Sequence, residues 1–418
     1  MNKKHFPSGL TLVVKTMPLL SVTMGIYVGV GSGFESVAQN GYSHFIEHMM
    51  FKGTQKRSAY RITEEIGDIG GQINAFTSKD NTCYYATTIK EHAAKGFEIL
   101  TDMFFGSKFD ENDIEKEKGV VIEEIKMKFD KPDELCQDLS MKAYFGSHPL
   151  GRTVGGEAEN IRSLTREGLM EFKEKYYFSS NIVISMAGGI TLAEAEGICA
   201  EFESRLSRCS KTRPILSAAP RQKSNLAAGF KDIGQAHLAV LSKGVPYEDK
   251  NVMNALVFSS IFGGGFGSRL FRRIREERSL AYTVFSYLVT YENNGFLDIY
   301  AGVGPKNVAE YLSLLNKEIK EITKNGITED ELNRGKEQVK GGLVFSMENA
   351  SNVMRAYAKY MGATGKVYDI NEKIGMINKV TRGDVVDIGR YMLDFDGMCA
   401  GYVGKEENCI NILEALKQ

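Results

Sequence analysis

The sequence predicts an α+β protein with two homologous domains joined by a linker. Its 418 residues are more than one ordinary core organises and suggest two to three domains. Strand and helix patterns fill the first half, and their order begins again after a segment with two prolines and several charges. Residues 109–118 also resemble residues 326–336 in their charged and apolar positions, and both precede long helical patterns. We therefore expect domains at 1–210 and 223–418, with 211–222 as the linker.

Composition and charge exclude several classes of protein. Hydrophobic residues make up 43% and charged residues 25% of the chain, as in ordinary soluble globular proteins. The formal net charge of -1 gives no support to nucleic-acid or membrane binding through bulk electrostatics, so we expect neither partner. We find no signal-peptide core, no apolar run of bilayer length and no Cys-x-x-Cys pair among the six cysteines. These features predict reduced thiols and a cytoplasmic location.

Local patterns in the first half predict both strands and helices. Runs of β-branched and apolar residues favour strands, whereas apolar residues at helical spacing favour helices. The expected strands are 10–17, 22–30, 73–89 with a break near 79–81, and 181–188. The expected helices are 41–54, 58–69, 93–105 and 111–129.

The second half predicts the same kinds of element without a metal site. Its expected strands are 236–241, 280–289 and 295–303, and its expected helices are 249–262 and 268–278. When the two similar segments are aligned, the halves are offset by 218 residues (331 − 113 = 218), and glycines occupy the positions of Glu117 and Glu124. This half also contains no His-x-x-Glu-His. We therefore expect a duplicated domain that has no metal ligands.

The segment His44-Phe45-Ile46-Glu47-His48 carries the strongest chemical signal in the chain. In a helix, which advances about 100° per residue, His44, Glu47 and His48 fall on one face. Zinc binds neutral imidazoles and a further protein ligand, keeps one position open for water, and works with a glutamate that takes a proton from that water. The arrangement is the zinc motif His-Glu-x-x-His in reverse order. Because five-residue patterns also arise by chance, the hypothesis of a metal site needs a third ligand.

The helical pattern 111–129 contains two adjacent glutamates whose predicted environments differ. Its apolar stripe consists of Val121, Ile122, Ile125 and Phe129. Glu124 lies within this stripe and is predicted to be buried, whereas Glu123 points to the solvent side. A buried carboxylate is costly unless it is paired or binds a metal, and Glu117 lies on the same face seven residues earlier, where it can support such a site. The alternative is that Glu117 and Glu124 both pair with basic residues.

Several motifs of the chain resemble the insulinase or pitrilysin family of zinc metallopeptidases. They are HFIEHMMFKGT at 44–54, VVIEEI at 120–125, SRLF at 268–271 and LAY at 280–282. The chain is most similar to the bacterial branch that resembles the mitochondrial processing peptidase, and the resemblance covers nearly the whole chain. It implies that each domain is an α/β sandwich, with a mostly antiparallel sheet covered by helices.

The resemblance implies roles for individual residues around one zinc ion per chain. In this branch the third ligand is a glutamate 76 residues after the second histidine, and 48 + 76 = 124. The implied ligands are therefore His44, His48 and Glu124, and the family spacing selects the same glutamate as the helical wheel. Glu47 corresponds to the general base and Glu117 to a supporting acidic residue. Another divalent ion that accepts two imidazoles and a carboxylate could take the place of zinc.

The resemblance also implies how a substrate is bound. Asn74, Ala75 and Phe76 would lie on an edge strand that pairs with the substrate backbone, and Arg275 and Tyr282 would contact the substrate at the catalytic centre. The expected function is that of a zinc-dependent endopeptidase, which hydrolyses unfolded or extended peptides bound by strand addition inside a closed chamber. We expect the chain to form a homodimer.

Two other classes of function compete with this expectation. Some relatives of this family have lost catalysis and serve as structural or peptide-binding subunits of a processing complex. The intact set of His44, Glu47, His48 and Glu124 argues against such an idle subunit. A zinc hydrolase that acts on small molecules would carry the same metal site, and cleavage of unstructured peptides separates it from a peptidase.

Overall fold

The computed structural model of the chain describes residues 2–208, 211–220, 224–409 and 412–417. Its strands are β1 Lys3–His5, β2 Thr11–Thr16, β3 Ser21–Val28, β4 Gln72–Thr77, β5 Thr82–Ile89, β6 Ile182–Gly188, β7 Leu226–Phe230, β8 Ala236–Lys243, β9 Ala281–Thr290, β10 Gly295–Val303 and β11 Cys399–Gly404. Its α-helices are α1 Tyr42–Met50, α2 Ala59–Asp68, α3 Ala93–Gly106, α4 Glu111–Phe129, α5 Pro132–Phe145, α6 Ala158–Ser163, α7 Arg166–Tyr176, α8 Leu192–Ser204, α9 Val252–Gly263, α10 Val308–Asn325, α11 Glu329–Ser346, α12 Ala350–Thr364, α13 Ile370–Lys379, α14 Arg382–Met392 and α15 Ile412–Lys417.

The predicted α+β fold with two homologous domains is confirmed by the topology of two sheets. One sheet has the strand order β1-β2-β6-β3-β5-β4, and the other has the order β7-β11-β8-β10-β9. In each sheet a single pair is parallel, β2 with β6 and β7 with β11, and the remaining pairs are antiparallel. When β1 is set aside, the two orders match strand for strand, which is what a duplicated domain requires.

The chain divides into two compact units that are not continuous in sequence. The first unit consists of Met1–Ile125, Thr153–Leu216 and Phe345–Tyr368, and the second consists of Lys126–Arg152, Ser217–Val344 and Asp369–Gln418. The first unit thus includes α12 and the second includes α5, whereas the predicted bounds place each of these helices in the other domain. Sequence order does not reveal which sheet a helix covers. The predicted boundary residues 210 and 223 and linker residues 221 and 222 lie outside the described residues.

Helices cover both faces of the sheet in the first unit. On one face Ile26 packs in a core with Phe45 of α1, and on the other face Tyr27 packs with Met354 of α12. A Cβ atom added to Gly25 would lie 2.4 Å from Sδ of Met354, so glycine is needed for the close approach of α12. The same sheet therefore separates an α1 side from an α12 side.

The sheet of the second unit is covered in the corresponding way. Cys136 of α5 packs with Ala239 on one face, and the larger core of this unit lies on the other. A Cβ atom on Gly335 would lie 2.5 Å from Cγ1 of Ile261, so α11 approaches α9 closely at this glycine. Gly335 is the residue aligned with Glu117, and the second unit therefore has close helix packing where the first has a carboxylate.

Two further features complete the fold. The predicted helix 268–278 is instead a π-helix over Phe271–Glu276.

None of the helices in the described part of the chain combines the length and the apolar character needed to cross a bilayer.

Candidate metal centre

A buried glutamate organises the start of the helix that carries the histidines. Helix α1 follows Gly41, which has a left-handed φ of 105°. Glu35, only 2% exposed, accepts hydrogen bonds from the N–H groups of Gly41 at 2.8 Å and Ser43 at 2.7 Å, and from Nδ2 of Asn40 at 3.1 Å. Burial raises the pKa of Glu35 against the opposing effect of these hydrogen bonds. Sequence reasoning missed Glu35, for which an acidic residue just before a helix start was the available signal.

The structure brings the three predicted metal ligands together. One ligand atom from each of His44, His48 and Glu124 lies within 4.8 Å of the other two. The rings of His44 and His48 have centroids 4.5 Å apart, and Nε2 of His48 is 3.5 Å from Oε2 of Glu124. Two ligands of a tetrahedral zinc ion, each about 2.0–2.1 Å from the metal, are roughly 3.4 Å apart. The donor types and their spacing therefore fit a zinc ion.

Glu117 orients His48 and is itself held by a lysine. Its Oε1 lies 2.8 Å from Nδ1 of His48, and its Oε2 lies 2.5 Å from Nζ of Lys52. Although burial opposes it, these hydrogen bonds hold the pKa of Glu117 below its ordinary value. An anionic Glu117 accepts a hydrogen bond from Nδ1, so the lone pair on Nε2 of His48 stays available for a metal. Lys52 was not identified from the sequence, because only the fold places its ammonium group beside Glu117.

Glu47 lies between the two histidines and contacts the sheet edge. Its Oε2 accepts a hydrogen bond of 2.5 Å from Oγ1 of Thr77, the last residue of β4. Burial raises the pKa of Glu47, and the nearby Glu124 carboxylate adds to this, whereas Thr77 and His48 act in the opposite direction. A carboxylate that holds a proton more readily than usual is suited to general-base chemistry near neutral pH.

The burial predicted for Glu124 and for the end of α4 is wrong. The Glu124 side chain is 46% exposed, and Phe129, which the sequence predicts in the same buried stripe, is 58% exposed. Val121 is fully buried, so the apolar stripe is packed against other residues at Val121 but becomes exposed to solvent towards the C-terminal end of the helix. A helical wheel gives the direction of a side chain about the axis but not where the packing neighbours end. The buried carboxylate of this helix is Glu117, which is 3% exposed.

The predicted substrate-binding residues lie on an edge strand. Among the described residues, β4 pairs with β5 alone, so its outer edge carries unpaired backbone groups. Thr77 points to the α1 side, where it contacts Glu47, and Phe76 points to the α12 side. By strand alternation Ala75 shares the side of Thr77, and Asn74 shares the side of Phe76.

The two residues predicted from the second half contact each other. Cζ of Arg275 lies 4.8 Å from the centroid of the Tyr282 ring and 4.9 Å from that of Phe271, which are cation–π distances. Tyr282 is 74% exposed. Arg275 lies in the π-helix Phe271–Glu276, and such local widening of a helix is frequent at functional sites. Both residues belong to the second unit, whereas the residues around His44 belong to the first.

Two family models together match most of the chain. The model described as Insulinase (Peptidase family M16) matches residues 11–158. The model described as Peptidase M16 inactive domain matches residues 163–339. The first match contains the histidines and Glu124, and the second contains Arg275 and Tyr282.

Similar proteins cover nearly the whole chain. A Bacillus subtilis protein named as an uncharacterized zinc protease, YmxG, is 37% identical over 393 residues, which are 93% of this chain and 95% of that protein. A Streptomyces coelicolor protein, also named an uncharacterized zinc protease, is 34% identical over 400 residues, which are 94% of this chain and 87% of that protein. A solved protease structure from Helicobacter pylori has a TM-score of 0.89 at 21% identity and covers 96% of this chain and 98% of its own. At this identity the structural likeness shows the fold.

Proposed function

Since the chain belongs to the insulinase family, peptidase family M16, we propose that it is a zinc-dependent endopeptidase that hydrolyses unfolded or extended peptides. One observation carries the proposal. The ligand atoms of His44, His48 and Glu124 cluster within 4.8 Å, with Glu47 on the same helix and hydrogen-bonded to the open edge strand β4. A metal site, a base and a peptide-binding edge then belong to one unit.

Three side chains would hold one zinc ion per chain. His44 and His48 offer imidazole nitrogens, and Glu124, half exposed, offers a carboxylate. A bound zinc ion supplies Lewis acidity, which lowers the pKa of a water molecule and polarises a carbonyl group. Glu117 keeps the proton of His48 on Nδ1, so that His48 binds through Nε2.

Glu47 would move the proton during hydrolysis. Because Thr77 donates a hydrogen bond to Oε2, Oε1 is left to accept a proton from the attacking water. The same carboxyl group then donates the proton to the amine nitrogen that leaves when the peptide bond breaks. Burial raises the pKa of Glu47, which assists the first step, because a carboxylate with a higher pKa is a stronger base.

The edge of β4 would bind the substrate by strand addition. An extended peptide can pair with the backbone of Asn74, Ala75 and Phe76, and these hydrogen bonds do not depend on the side chains of the peptide. Only an extended segment can add to a sheet edge. Folded proteins should therefore be poor substrates, and many unfolded sequences should be accepted.

The proposal extends to the second unit, the assembly and the cell compartment. Arg275 and Tyr282 would contact the substrate and stabilise the oxygen on which negative charge develops.

The chain would be a homodimer, and sedimentation that finds only monomer under active conditions would reject this part. It would also be cytoplasmic, which cell fractionation tests. The buried thiols of Cys83, Cys136 and Cys199 agree with a reducing compartment but do not require one.

Cleavage of quenched fluorescent peptides that lack structure tests the proposed activity. The wild-type chain, purified with zinc, should cut such peptides, and mass spectrometry identifies the bonds. Glu47→Gln should bind zinc as the wild type does and should lose cleavage, because its amide cannot accept the proton. If the wild type holds one zinc ion per chain and leaves every peptide intact, an idle peptide-binding subunit or a small-molecule hydrolase replaces the endopeptidase.

Two neighbouring glutamates provide a matched test of the ligand set. Glu124→Gln should lower the zinc content, because it removes a charged ligand, whereas Glu123→Gln on the same helix should leave it unchanged. Zinc per chain is measured by elemental analysis after dialysis. The opposite pattern would overturn the assignment of Glu124.

A further inference from the structure

An arginine from α12 lies over two aromatic rings at the edge of the first sheet. Cζ of Arg355 is 5.2 Å from the centroid of the Phe76 ring and 5.1 Å from that of Tyr85. One terminal nitrogen donates hydrogen bonds of 3.1 Å to the hydroxyl groups of Tyr85 and Ser351. The two rings are 6.3 Å apart and meet edge to face. These four residues, Phe76, Tyr85, Ser351 and Arg355, form what we call the Arg355 cluster.

The Arg355 cluster lies on the side of the sheet opposite to Glu47. Thr77 points to α1 and reaches Glu47, and Phe76, one residue earlier, points to α12. Asn74 is paired with Tyr85, and paired residues of neighbouring strands point to the same side. The cluster therefore borders the stretch of β4 that a peptide would pair with. It lies on the α12 side of the sheet, whereas the proposed metal ligands lie on the α1 side.

Arg355 has no acidic partner in the described part of the chain. Its described contacts are the two hydroxyl groups and the two rings, and the side chain is exposed. Lys359, one turn later on α12, lies 3.4 Å from a carboxylate oxygen of Asp80. The guanidinium group has five N–H donors in a plane, so several remain for a ligand after the bonds to Tyr85 and Ser351. Stacking on Phe76 and Tyr85 already restricts the group, so that less entropy is lost when it binds one.

We propose that the Arg355 cluster is a substrate subsite that binds an acidic side chain of the peptide added to β4. This inference rests on the proposed endopeptidase function. A carboxylate is the ligand that a planar guanidinium fork binds with two parallel hydrogen bonds, and an aspartate or glutamate can lie beside the Phe76 ring as it does so. The peptide residue involved is one that pairs opposite Asn74 or Phe76, because its side chain points to the α12 side.

Side chains of an extended peptide alternate between the two sides of the sheet, so this subsite should give a recognisable pattern in cleavage data. The adjacent residues of the peptide point to the α1 side, which carries Glu47 and the proposed metal ligands. A glutamate there lies on the opposite side of the strand from Arg355 and gains no contact with it. Preference for acidic residues should therefore appear at one position, or at two positions that are two residues apart, and never at consecutive positions.

The test measures cleavage of one unstructured peptide series in which a single glutamate moves through every position on both sides of the cut bond. Each member has a glutamine twin, and the ratio of kcat/KM for the two isolates the charge. At the α12-side position the wild type should prefer glutamate by about two- to fivefold, the range expected for a partly exposed ion pair. Mass spectrometry verifies that the cut bond does not shift.

Variants of α12 connect the preference to Arg355. Arg355→Met, which keeps the stem over Phe76, should bring the ratio to about one, and Arg355→Lys should retain part of it. Arg355→Glu should reverse the preference, so that a lysine peptide is cut faster than its glutamate counterpart, a gain that misfolding cannot produce. Lys359→Met serves as the control and should leave the ratio unchanged. Zinc content and the melting temperature are measured for each variant.

The outcomes separate this inference from the proposed function. If the wild type cuts the series without a preference for glutamate, or if Arg355→Met retains the preference, the subsite is rejected and the endopeptidase remains. If Lys359→Met has the same effect as Arg355→Met, a diffuse positive field explains the preference and the subsite is also rejected. If no peptide is cut and none binds to Glu47→Gln in a fluorescence-anisotropy titration, the proposed function fails and the subsite with it.

Discussion

Replacing Glu117 with glutamine tests how the fold prepares His48 for a metal. Glutamine keeps the volume of Glu117 but removes the charge that pairs with Nδ1 of His48 and with Nζ of Lys52. Lys52 can only donate, so it attracts the amide oxygen and leaves the amide N–H₂ group facing His48. Nδ1 of His48 must then accept a hydrogen bond, and the imidazole proton moves to Nε2. This tautomer has no lone pair on the nitrogen that lies 3.5 Å from Glu124.

The structure indicates that Glu117→Gln should cause a large loss of zinc affinity. Loss of a residue that orients a metal ligand weakens metal affinity by about 10–100-fold, or about 1.4–2.7 kcal/mol. Glu117 is only 3% exposed, so water cannot easily replace the carboxylate, and two charged contacts of 2.8 and 2.5 Å are lost together. We therefore expect a weakening of about 100-fold, near the upper limit of that range.

Zinc affinity is measured by competition with a fluorescent chelator, and circular dichroism checks that the variant is folded. Glu123→Gln provides the control, because it removes the same charge from the exposed side of α4. A Glu117→Gln variant that is folded and binds zinc within about twofold of the wild type would refute the orientation argument. Equal losses in the two variants would also refute it, since they would indicate a general effect of charge.

Substitutions at Thr77, Glu35 and Asp298, with two controls, test features beyond the metal ligands. Thr77→Val removes the hydroxyl that holds Oε2 of Glu47 and should lower kcat about tenfold with zinc content unchanged. Thr77→Ser should retain activity, as should Thr87→Val, which breaks a hydroxyl contact elsewhere in the sheet. Glu35→Ala leaves backbone N–H groups at the start of α1 without their acceptor and should reduce the free energy of unfolding by about 1–2 kcal/mol. Urea titrations measure this change, and an unchanged value would contradict the role of Glu35 as a helix-start acceptor. Burial raises the pKa of Asp298 from 3.8 to about 6. The contribution of Asp298 to stability should therefore be complete below about pH 4 and fall by about 3 kcal/mol as the pH rises through about 6. Unfolding curves measured across that range should show this change as a pH-dependent difference in the free energy of unfolding between the wild type and Asp298→Asn.

Predictions from the sequence were accurate where an element's own residues decide its structure. The helix 111–129 and the strand 295–303 have the predicted bounds, because apolar spacing and alternation are properties of each segment. The predicted helix 268–278 contains a π-helical stretch instead. Its hydrogen bonding depends on tertiary contacts that periodicity does not report. The exposure of Glu124 escaped prediction for a related reason, since the wheel does not show where the cover of α4 ends.

Some features of the candidate site likewise follow from the local sequence, and others follow only from the tertiary structure. The sequence by itself determined that His44, Glu47 and His48 share one face, because the 3.6-residue period of a single helix decides it. It also showed that the second half contains no His-x-x-Glu-His and has glycines at the positions aligned with Glu117 and Glu124. The family spacing selected Glu124 from outside that helix.

Only the tertiary structure decided which groups surround these residues. Lys52 beside Glu117, Thr77 on Glu47 and Arg355 over Tyr85 are contacts between different elements, and the last joins residues 270 positions apart. The exchange of α5 and α12 between the two halves was equally hidden. The physical reason is that an apolar pattern states which face of an element is buried, but the burial of apolar surface has no direction and does not specify the partner.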